Sequence, residues 1–158
     1  MTHPIRTLYE NRQAKADRPA LFDGAVTLTH AELIAKVEAA AGDLAARGIG
    51  TGDRVGLCAR NSCQHVIAWL AILRAGAVWT PLNPRNGARL NSEFQARAGL
   101  ALTLIDTASV TSAGVSARPL PLEAWLDSLM SGTVPAIVDD ADAPFALKFT
   151  GGSTGVPK

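Results

Sequence analysis

The chain has 158 residues and carries 15 Lys and Arg against 14 Asp and Glu, for a formal net charge of +1. This length is typical of one domain, and a folded chain of about this size buries roughly 70% of the surface that the unfolded chain exposes. A composition of 47% hydrophobic and 18% charged residues argues against a disordered or fibrous protein. The scattered Arg residues form no basic stripe, so nucleic-acid binding is not expected.

The compartment follows from cysteine usage and from the apolar runs. Cys58 and Cys63 form no C-x-x-C motif, and Cys58 lies in a run that is typical of a buried strand. The longest apolar run, Val66–Leu73, is eight residues long, whereas a bilayer span needs about 20. Residues 1–18 lack the apolar core of a secretory signal. We therefore expect a reduced, cytoplasmic protein without a membrane span.

The first predicted elements are a helix and a strand. Thr29 followed three residues later by Glu32 is a capping-box signature, and apolar residues then recur at helical spacing, which predicts a helix over residues 30–47. Gly48 favours the left-handed conformation that ends a helix. The apolar run that follows predicts a buried strand over Arg54–Cys58.

The middle of the chain predicts two further helices and two further strands. Asn61 or Ser62 caps a helix that is apolar nearly all round and ends before Gly76. Strands are predicted over Ala77–Thr80 and Leu100–Ile105, separated by a weaker helix that contains Leu90 and Phe94 and ends at Gly99.

The last third predicts one helix, a linker and one strand. An apolar stripe from Leu122 to Met130 follows Pro121 and indicates a helix, and Ser131–Pro144 is rich in Pro and Asp and indicates a linker. Phe145–Thr150 is predicted to be a strand. Strands without polar alternation, separated by helices, predict an α/β fold with a mostly parallel sheet and helices on both faces.

The segment Thr150–Lys158 combines three glycines, three hydroxyl side chains and one lysine. Glycines allow successive backbone N–H groups to converge on an anion, hydroxyls donate to phosphate oxygens, and lysine adds a positive charge. The segment is therefore a candidate cradle for a polyphosphate.

Three other interpretations of this segment compete with the cradle. A flexible Gly/Ser tail has the same composition. The nucleotide loop G-x-x-x-x-G-K-[ST] has a different spacing, because Lys158 lies three residues beyond Gly155. A hydrolase elbow around Ser153 would need a helix, which Pro157 disfavours, and acid and histidine partners later in the chain.

Three segments resemble motifs of one superfamily. Leu147–Lys158 resembles the phosphate-loop signature of the AMP-forming adenylating enzymes, which include acyl-CoA synthetases, luciferases and adenylation domains of peptide synthetases. Leu28–Leu33 and Leu73–Asn83 resemble two earlier motifs of that superfamily, and the three motifs occur along this chain in the same order as in the superfamily. Two departures are visible: His30 stands where an aromatic residue is usual, and Gly151 stands where Ser is commoner.

This resemblance implies a two-step ligase of the acyl-CoA synthetase type. ATP and a small-molecule carboxylate would give an acyl-adenylate and pyrophosphate, and a thiol such as coenzyme A would then displace AMP. The residues that the resemblance assigns to the ATP phosphates are Thr150, Gly151, Gly152, Ser153, Thr154, Gly155 and Lys158. The three hydroxyls and the backbone of the three glycines would hold the β- and γ-phosphates, Mg²⁺ would bridge their oxygens, and Lys158 would offset negative charge.

The resemblance also implies what this stretch lacks. In the superfamily the adenine and ribose motifs, the acyl pocket and the C-terminal domain follow the phosphate loop, so residues 1–158 correspond to the N-terminal portion of the adenylation domain. We expect no catalytic residue and no metal ligand within the chain, and no turnover by the chain alone. The alternative is a non-catalytic module that binds a nucleotide or a partner, and a homo-oligomer is left open.

The remaining chemistry-bearing residues are interpreted as structural. Cys63 and His65 are two positions apart on a predicted helix and point to different faces, so a metal site with Cys58 is not expected. His3 and His30 are taken as ordinary side chains. Trp69, Trp79 and Trp125 are predicted to fill the core.

Overall fold

A computed structural model describes residues 3–10, 12–24, 26–137, 140 and 142–149 of the chain. The helices are α1 (Pro4–Tyr9), α2 (Arg12–Lys15), α3 (His30–Ala46), α4 (Cys63–Arg74), α5 (Gly87–Ala98), α6 (Val110–Ala113) and α7 (Leu122–Asp127). The strands are β1 (Pro19–Asp23), β2 (Val26–Thr29), β3 (Arg54–Cys58), β4 (Val78–Pro81), β5 (Leu102–Ile105) and β6 (Pro119–Pro121).

Helix α3 begins at the predicted capping box. The Glu32 backbone N–H donates to Thr29 Oγ1 at 3.3 Å, and the Thr29 backbone N–H donates to Glu32 Oε2 at 2.8 Å. These bonds satisfy two donors that a helix start would otherwise leave unpaired. Gly48, at φ 82°, follows the last turn. The predicted helix over residues 30–47 is confirmed to within one residue.

The larger sheet has the strand order β4-β3-β5-β6, and all three of its strand pairs are parallel. Gly56 lies at its centre, opposite Thr80 on one side and Thr103 on the other. A Cβ atom on Gly56 would come within 2.6 Å of Leu100 Cδ1 and 3.1 Å of Thr103 Cγ2, so a larger residue here would force neighbouring side chains to move. The parallel sheet confirms the predicted α/β fold class.

Apolar side chains cover both faces of this sheet. One core joins α3 and α4 to the sheet, and Val37, Leu44 and Ile72 in it are fully buried. A smaller core on the opposite face contains Cys58, Leu82, Phe94, Ile105 and Ala113. Helix α4 packs between α3 and the sheet, as its nearly continuous apolar surface predicts. Trp125 is fully buried, and Trp69 and Trp79 pack against the larger core.

Several elements differ from the sequence-based predictions. The antiparallel hairpin β1–β2, helix α1 and strand β6 were not predicted. Helix α7 ends at Asp127 and does not reach Met130, because the backbone N–H of Met130 donates to Asp43 on α3. The strand predicted over Phe145–Thr150 is reduced to a single parallel bridge between Ala146 and Trp79, and Thr150 lies outside the described residues.

Among the helices that the structure describes, none combines the length and the apolar character needed to cross a bilayer.

Candidate functional site

The phosphate loop predicted from the sequence, Thr150–Lys158, lies outside the described residues. This holds for every residue assigned to ATP phosphates, namely Thr150, Gly151, Gly152, Ser153, Thr154, Gly155 and Lys158. The structure does describe residues 145–149, the approach segment, which leads directly into the loop. Phe149 is the last described residue before the loop.

The approach segment lies beside β4 at the edge of the sheet. The Trp79 backbone N–H donates to Phe145 O at 3.0 Å, and the Leu147 backbone N–H donates to Trp79 O at 2.9 Å. The pairing is parallel, so the segment runs in the same direction as the four strands. The chain therefore leaves this edge at the carboxyl end of the sheet, where open α/β sheets bind their ligands.

Phe149 fastens the end of the approach segment to the smaller core. Its ring stacks on that of Phe94 of α5, with centroids 4.3 Å apart and planes 6° from parallel. Leu82, which follows β4, and Ile105, the last residue of β5, belong to the same core. The residue before the loop is thus packed against a core to which the carboxyl ends of two strands contribute.

Lys148 brings a positive charge to the start of the loop. Its side chain is exposed, and Nζ lies 5.4 Å from the centroid of the Trp79 ring. A cation over the face of an indole is attracted by the negative charge of the ring face. Trp79 is itself held against Trp69 of α4, with ring centroids 5.7 Å apart. This contact keeps the Lys148 ammonium beside β4, two residues before the predicted loop in sequence.

The structure explains why two of the resembling motifs belong together. The segment Leu73–Asn83 contains the turn at Gly76, where φ is 79°, and the whole of β4. Because β4 pairs with the approach segment, the Leu73–Asn83 motif lies directly beside the start of the phosphate-loop motif. The two motifs are more than 60 residues apart in sequence and adjacent in the sheet.

A buried amide shapes the carboxyl end of β4. Asn91 of α5 is fully buried, and its Nδ2 donates to Asn83 O at 3.0 Å and to Ser112 O at 2.8 Å. Its Oδ1 accepts from Asn86 Nδ2 at 3.4 Å. These bonds tie the loop that follows β4 to α5 and α6.

Asp43 is an important residue that sequence reasoning missed. It is fully buried on α3, and its carboxylate accepts from Trp125 Nε1 and from the Met130 backbone N–H, both at 2.6 Å, and from Arg47 Nε at 2.5 Å. Burial raises the pKa of Asp43, but the hydrogen bonds from Arg47, Met130 and Trp125 outweigh it and hold the pKa below its ordinary value. The sequence signal for this role was the position of Asp43, an acidic residue between the apolar residues that α3 buries.

The hydrogen bond from the Met130 backbone to Asp43 is the first of several contacts between α3, α4 and the residues that precede the approach segment. Residues 128–137, which we call the strap, cross α3 and α4. At Gly42 a Cβ atom would lie 2.6 Å from Gly132 O, so the strap and α3 touch backbone to backbone. Arg74 of α4 then donates to Pro135 O.

The thiols and imidazoles of the described region occupy structural positions. Burial, with a contribution from Asp106, raises the pKa of Cys58 to about 11, so its thiol stays protonated at neutral pH. Burial lowers the pKa of His65, whose Nδ1 lies 3.2 Å from Ala59 O. His3 caps α1 and packs edge-on against Phe145. In the described ranges no three His, Cys, Asp or Glu side chains are grouped so as to hold a metal ion.

Comparison with known proteins identifies the family. The family described as AMP-binding enzyme matches residues 8–158. Nonribosomal peptide synthetase 8 of Aspergillus fumigatus is 33% identical over 162 residues, which cover 99% of this chain and 2% of that protein. A linear gramicidin synthase of Brevibacillus parabrevis is 35% identical over 134 residues, which cover 83% of this chain and 3% of that protein. The chain thus spans a small part of these relatives.

Solved structures agree with this match. The N-terminal subdomain of NpsA from Klebsiella oxytoca superposes with a TM-score of 0.87 at 28% identity, covering all of this chain and 41% of that one. O-succinylbenzoate coenzyme A synthetase (MenE) from Bacillus subtilis, in complex with AMP, has the same fold, with a TM-score of 0.82 at 24% identity over 96% of this chain and 40% of that one. With the family match running from residue 8 to residue 158, the chain belongs to the AMP-binding enzymes and corresponds to their N-terminal part.

Proposed function

We propose that this chain is the N-terminal portion of an adenylation domain that activates a carboxylic acid with ATP, and that Thr150–Lys158 holds the ATP phosphates. The observation that supports the proposal is the pairing of the approach segment with β4, which brings the chain, up to Phe149, to the carboxyl end of the sheet. Lys148 adds a cation at the same place. A polyphosphate is the ligand that best suits this combination of glycines, hydroxyls and lysines.

In this proposal the loop acts on the leaving group. A carboxylate oxygen attacks the α-phosphorus, the acyl–phosphate bond forms, and the bond between the α-phosphorus and the bridging oxygen breaks to release pyrophosphate. Thr150, Ser153 and Thr154 donate to the departing phosphate oxygens, and Lys158 offsets their charge. These hydroxyl and ammonium groups fit phosphate oxygens, and none of them is a carboxylate ligand for Mg²⁺. Mg²⁺, when bound through ATP, neutralises further charge on the phosphates.

For the second step we propose the thiol of a carrier protein as acyl acceptor. The support is that the relatives compared above are peptide synthetases and that the NpsA structures include an adenylation domain fused to a PCP. Coenzyme A, expected from the sequence, is the second candidate acceptor, and the MenE structure is a fold-level precedent for it.

Pyrophosphate exchange tests the first step. The natural protein that contains this sequence is incubated with ATP, labelled pyrophosphate and a panel of aliphatic, aromatic and amino acids, and we expect one class of acid to support exchange. Lys158→Ala should lower kcat/KM for ATP by about 10- to 100-fold, because it removes the positive charge that would stabilise the leaving pyrophosphate. The matched control is Lys36→Ala, an exposed lysine of α3, which should leave exchange unchanged.

The outcomes separate the proposal from its alternative. ATP binding without exchange for any acid would favour a non-catalytic nucleotide-binding module. Equal exchange by the Lys158→Ala and wild-type proteins would contradict the role assigned to the loop. Once an acid is known, thioester formation on a carrier protein or on coenzyme A identifies the acceptor.

The anchor of the loop is tested by Phe149→Ala. Losing the stack on Phe94 should raise the KM for ATP by roughly five- to tenfold, because the loop start is no longer preorganised. Phe22→Ala is the matched control, since Phe22 is 72% exposed on the hairpin. A KM that changes equally in both variants would show that the stack does not position the loop.

A further inference from the structure

A cavity of about 400 Å³ lies between α1, the start of β1, α3 and α4. Its wall is mostly apolar and includes Leu8 of α1, Leu33 of α3 and Leu70 of α4. Cavities of roughly 300–1,000 Å³ with an apolar lining and a few polar groups are the usual form of small-molecule sites. Residues of the approach segment do not contribute to the described lining of this cavity.

Basic side chains line the same cavity. Lys15, Arg18 and His30 all lie in its wall, and no carboxylate is present among its described lining residues. Within the part of the chain that the structure describes, Lys15 and Arg18 form no ion pair. The cavity therefore combines an apolar interior with positive charge that the described residues do not neutralise.

His30 adds an unsatisfied polar atom. Its backbone N–H donates to Arg18 O at 2.9 Å, so the start of α3 is paired. Its side-chain Nδ1, by contrast, is buried and has no hydrogen-bond partner in the described ranges. Buried polar atoms in folded proteins nearly always have a partner, and an unpaired one calls for an explanation. Nδ1 has almost no accessible surface, so a ligand oxygen in the cavity would accept a hydrogen bond from it only after the imidazole turns toward the cavity.

We infer that this cavity binds a small organic anion with an apolar body. Leu8, Leu33 and Leu70 would pack against the hydrocarbon part of the ligand, and Lys15 and Arg18 would attract its charge. The absence of acidic side chains among the described lining residues disfavours cations, and the apolar wall disfavours a free inorganic ion. This binding does not depend on adenylation, and its failure would leave the proposed function untouched.

Naphthalene-2-sulfonate is a suitable probe, because it joins a rigid apolar body to a permanent anion and has no carboxylate to activate. It is titrated into the protein while backbone amide shifts are followed by NMR. We expect saturable shifts at Thr7, Ala20 and Leu33 and none at residues 145–149. The neutral naphthalene-2-sulfonamide should bind at least about fivefold more weakly, because it lacks the charge that Lys15 and Arg18 attract.

Two variants test the cavity itself. Lys15→Ala combined with Arg18→Ala should weaken sulfonate binding by about fivefold or more, whereas Lys36→Ala, which removes an exposed charge elsewhere on α3, should not. Ala20→Phe fills the cavity from an exposed position on β1 and should abolish binding without unfolding the protein. Equal binding of the sulfonamide, or undiminished binding to the Ala20→Phe variant, would overturn the inference.

Discussion

Asp43 is fully buried, and three hydrogen-bond donors from different parts of the chain converge on it. Asp43→Asn keeps the shape of the side chain but removes its charge and replaces one acceptor oxygen with an NH2 donor, which would face either Trp125 Nε1 or the Met130 backbone N–H. We expect the free energy of unfolding to fall by about 2–3 kcal/mol, since hydrogen bonds to a buried charged group are lost. Urea unfolding followed by tryptophan fluorescence measures the change.

The pH dependence of that difference identifies its origin. The folded pKa of Asp43 lies below its unfolded value near 3.8, so the stabilisation is present above the unfolded pKa and is lost as pH falls through the folded pKa. The difference in the free energy of unfolding between the wild-type and Asp43→Asn proteins should be constant above about pH 5 and shrink below it. Asp127→Asn, at an exposed position of α7, is the control that should show no such gap.

Single residues show where sequence reasoning stops. The Thr29 and Glu32 capping box was predictable because both partners lie within one helical turn. The role of Asp43 was not, because Trp125 and Met130 lie more than 80 residues away in sequence. The seven loop residues were assigned from local chemistry and from resemblance, and they lie outside the described residues, so their assignment stays a prediction.

At the scale of elements, the crossing of the strap over α3 depends on two glycines. A Cβ atom on Gly132 would overlap Gly42 O, so Gly132→Ala should push the strap away from the helix. We expect a loss of about 1–3 kcal/mol in the free energy of unfolding, the usual cost of overpacking. Thermal and urea unfolding measure it.

The matched control for that substitution is Gly50→Ala. Gly50 has open space around its Cβ position and no positive φ, so alanine there should be neutral or slightly stabilising. If Gly132→Ala were as stable as Gly50→Ala, the close contact between strap and helix would not exist in solution.

The elements that were predicted and those that were missed differ in how local their causes are. Helices α3 and α4 carry their own caps and apolar stripes, so their sequences sufficed. Strand β6 contains Pro119 and Pro121, and two prolines argue against a strand. It forms at the edge of the sheet, beside β5, where the N–H groups that proline lacks are not all needed for pairing. Hairpin β1–β2 is largely exposed, so its sequence has no buried apolar pattern from which strands could be predicted.

At the scale of the whole molecule, stability should be distributed unevenly. Strands β3 and β5 are buried between two cores, whereas β1 and β2 form a separate two-stranded sheet with mostly exposed side chains. We expect amide hydrogens of β3 and β5 to exchange only through global unfolding and those of β1 and β2 to exchange much faster through local opening. Native-state hydrogen exchange read by mass spectrometry checks this order, and equal protection of hairpin and central strands would contradict it.

The pairing of Trp79 with Ala146 has a consequence for synthesis of the chain on the ribosome. Strand β4 pairs with β3 through one edge, but the partner of its other edge is made about 65 residues later. At roughly 5–20 residues per second, that edge stays open for several seconds in the nascent protein. Open strand edges recruit other chains, so we expect the nascent chain to be prone to aggregation during this interval.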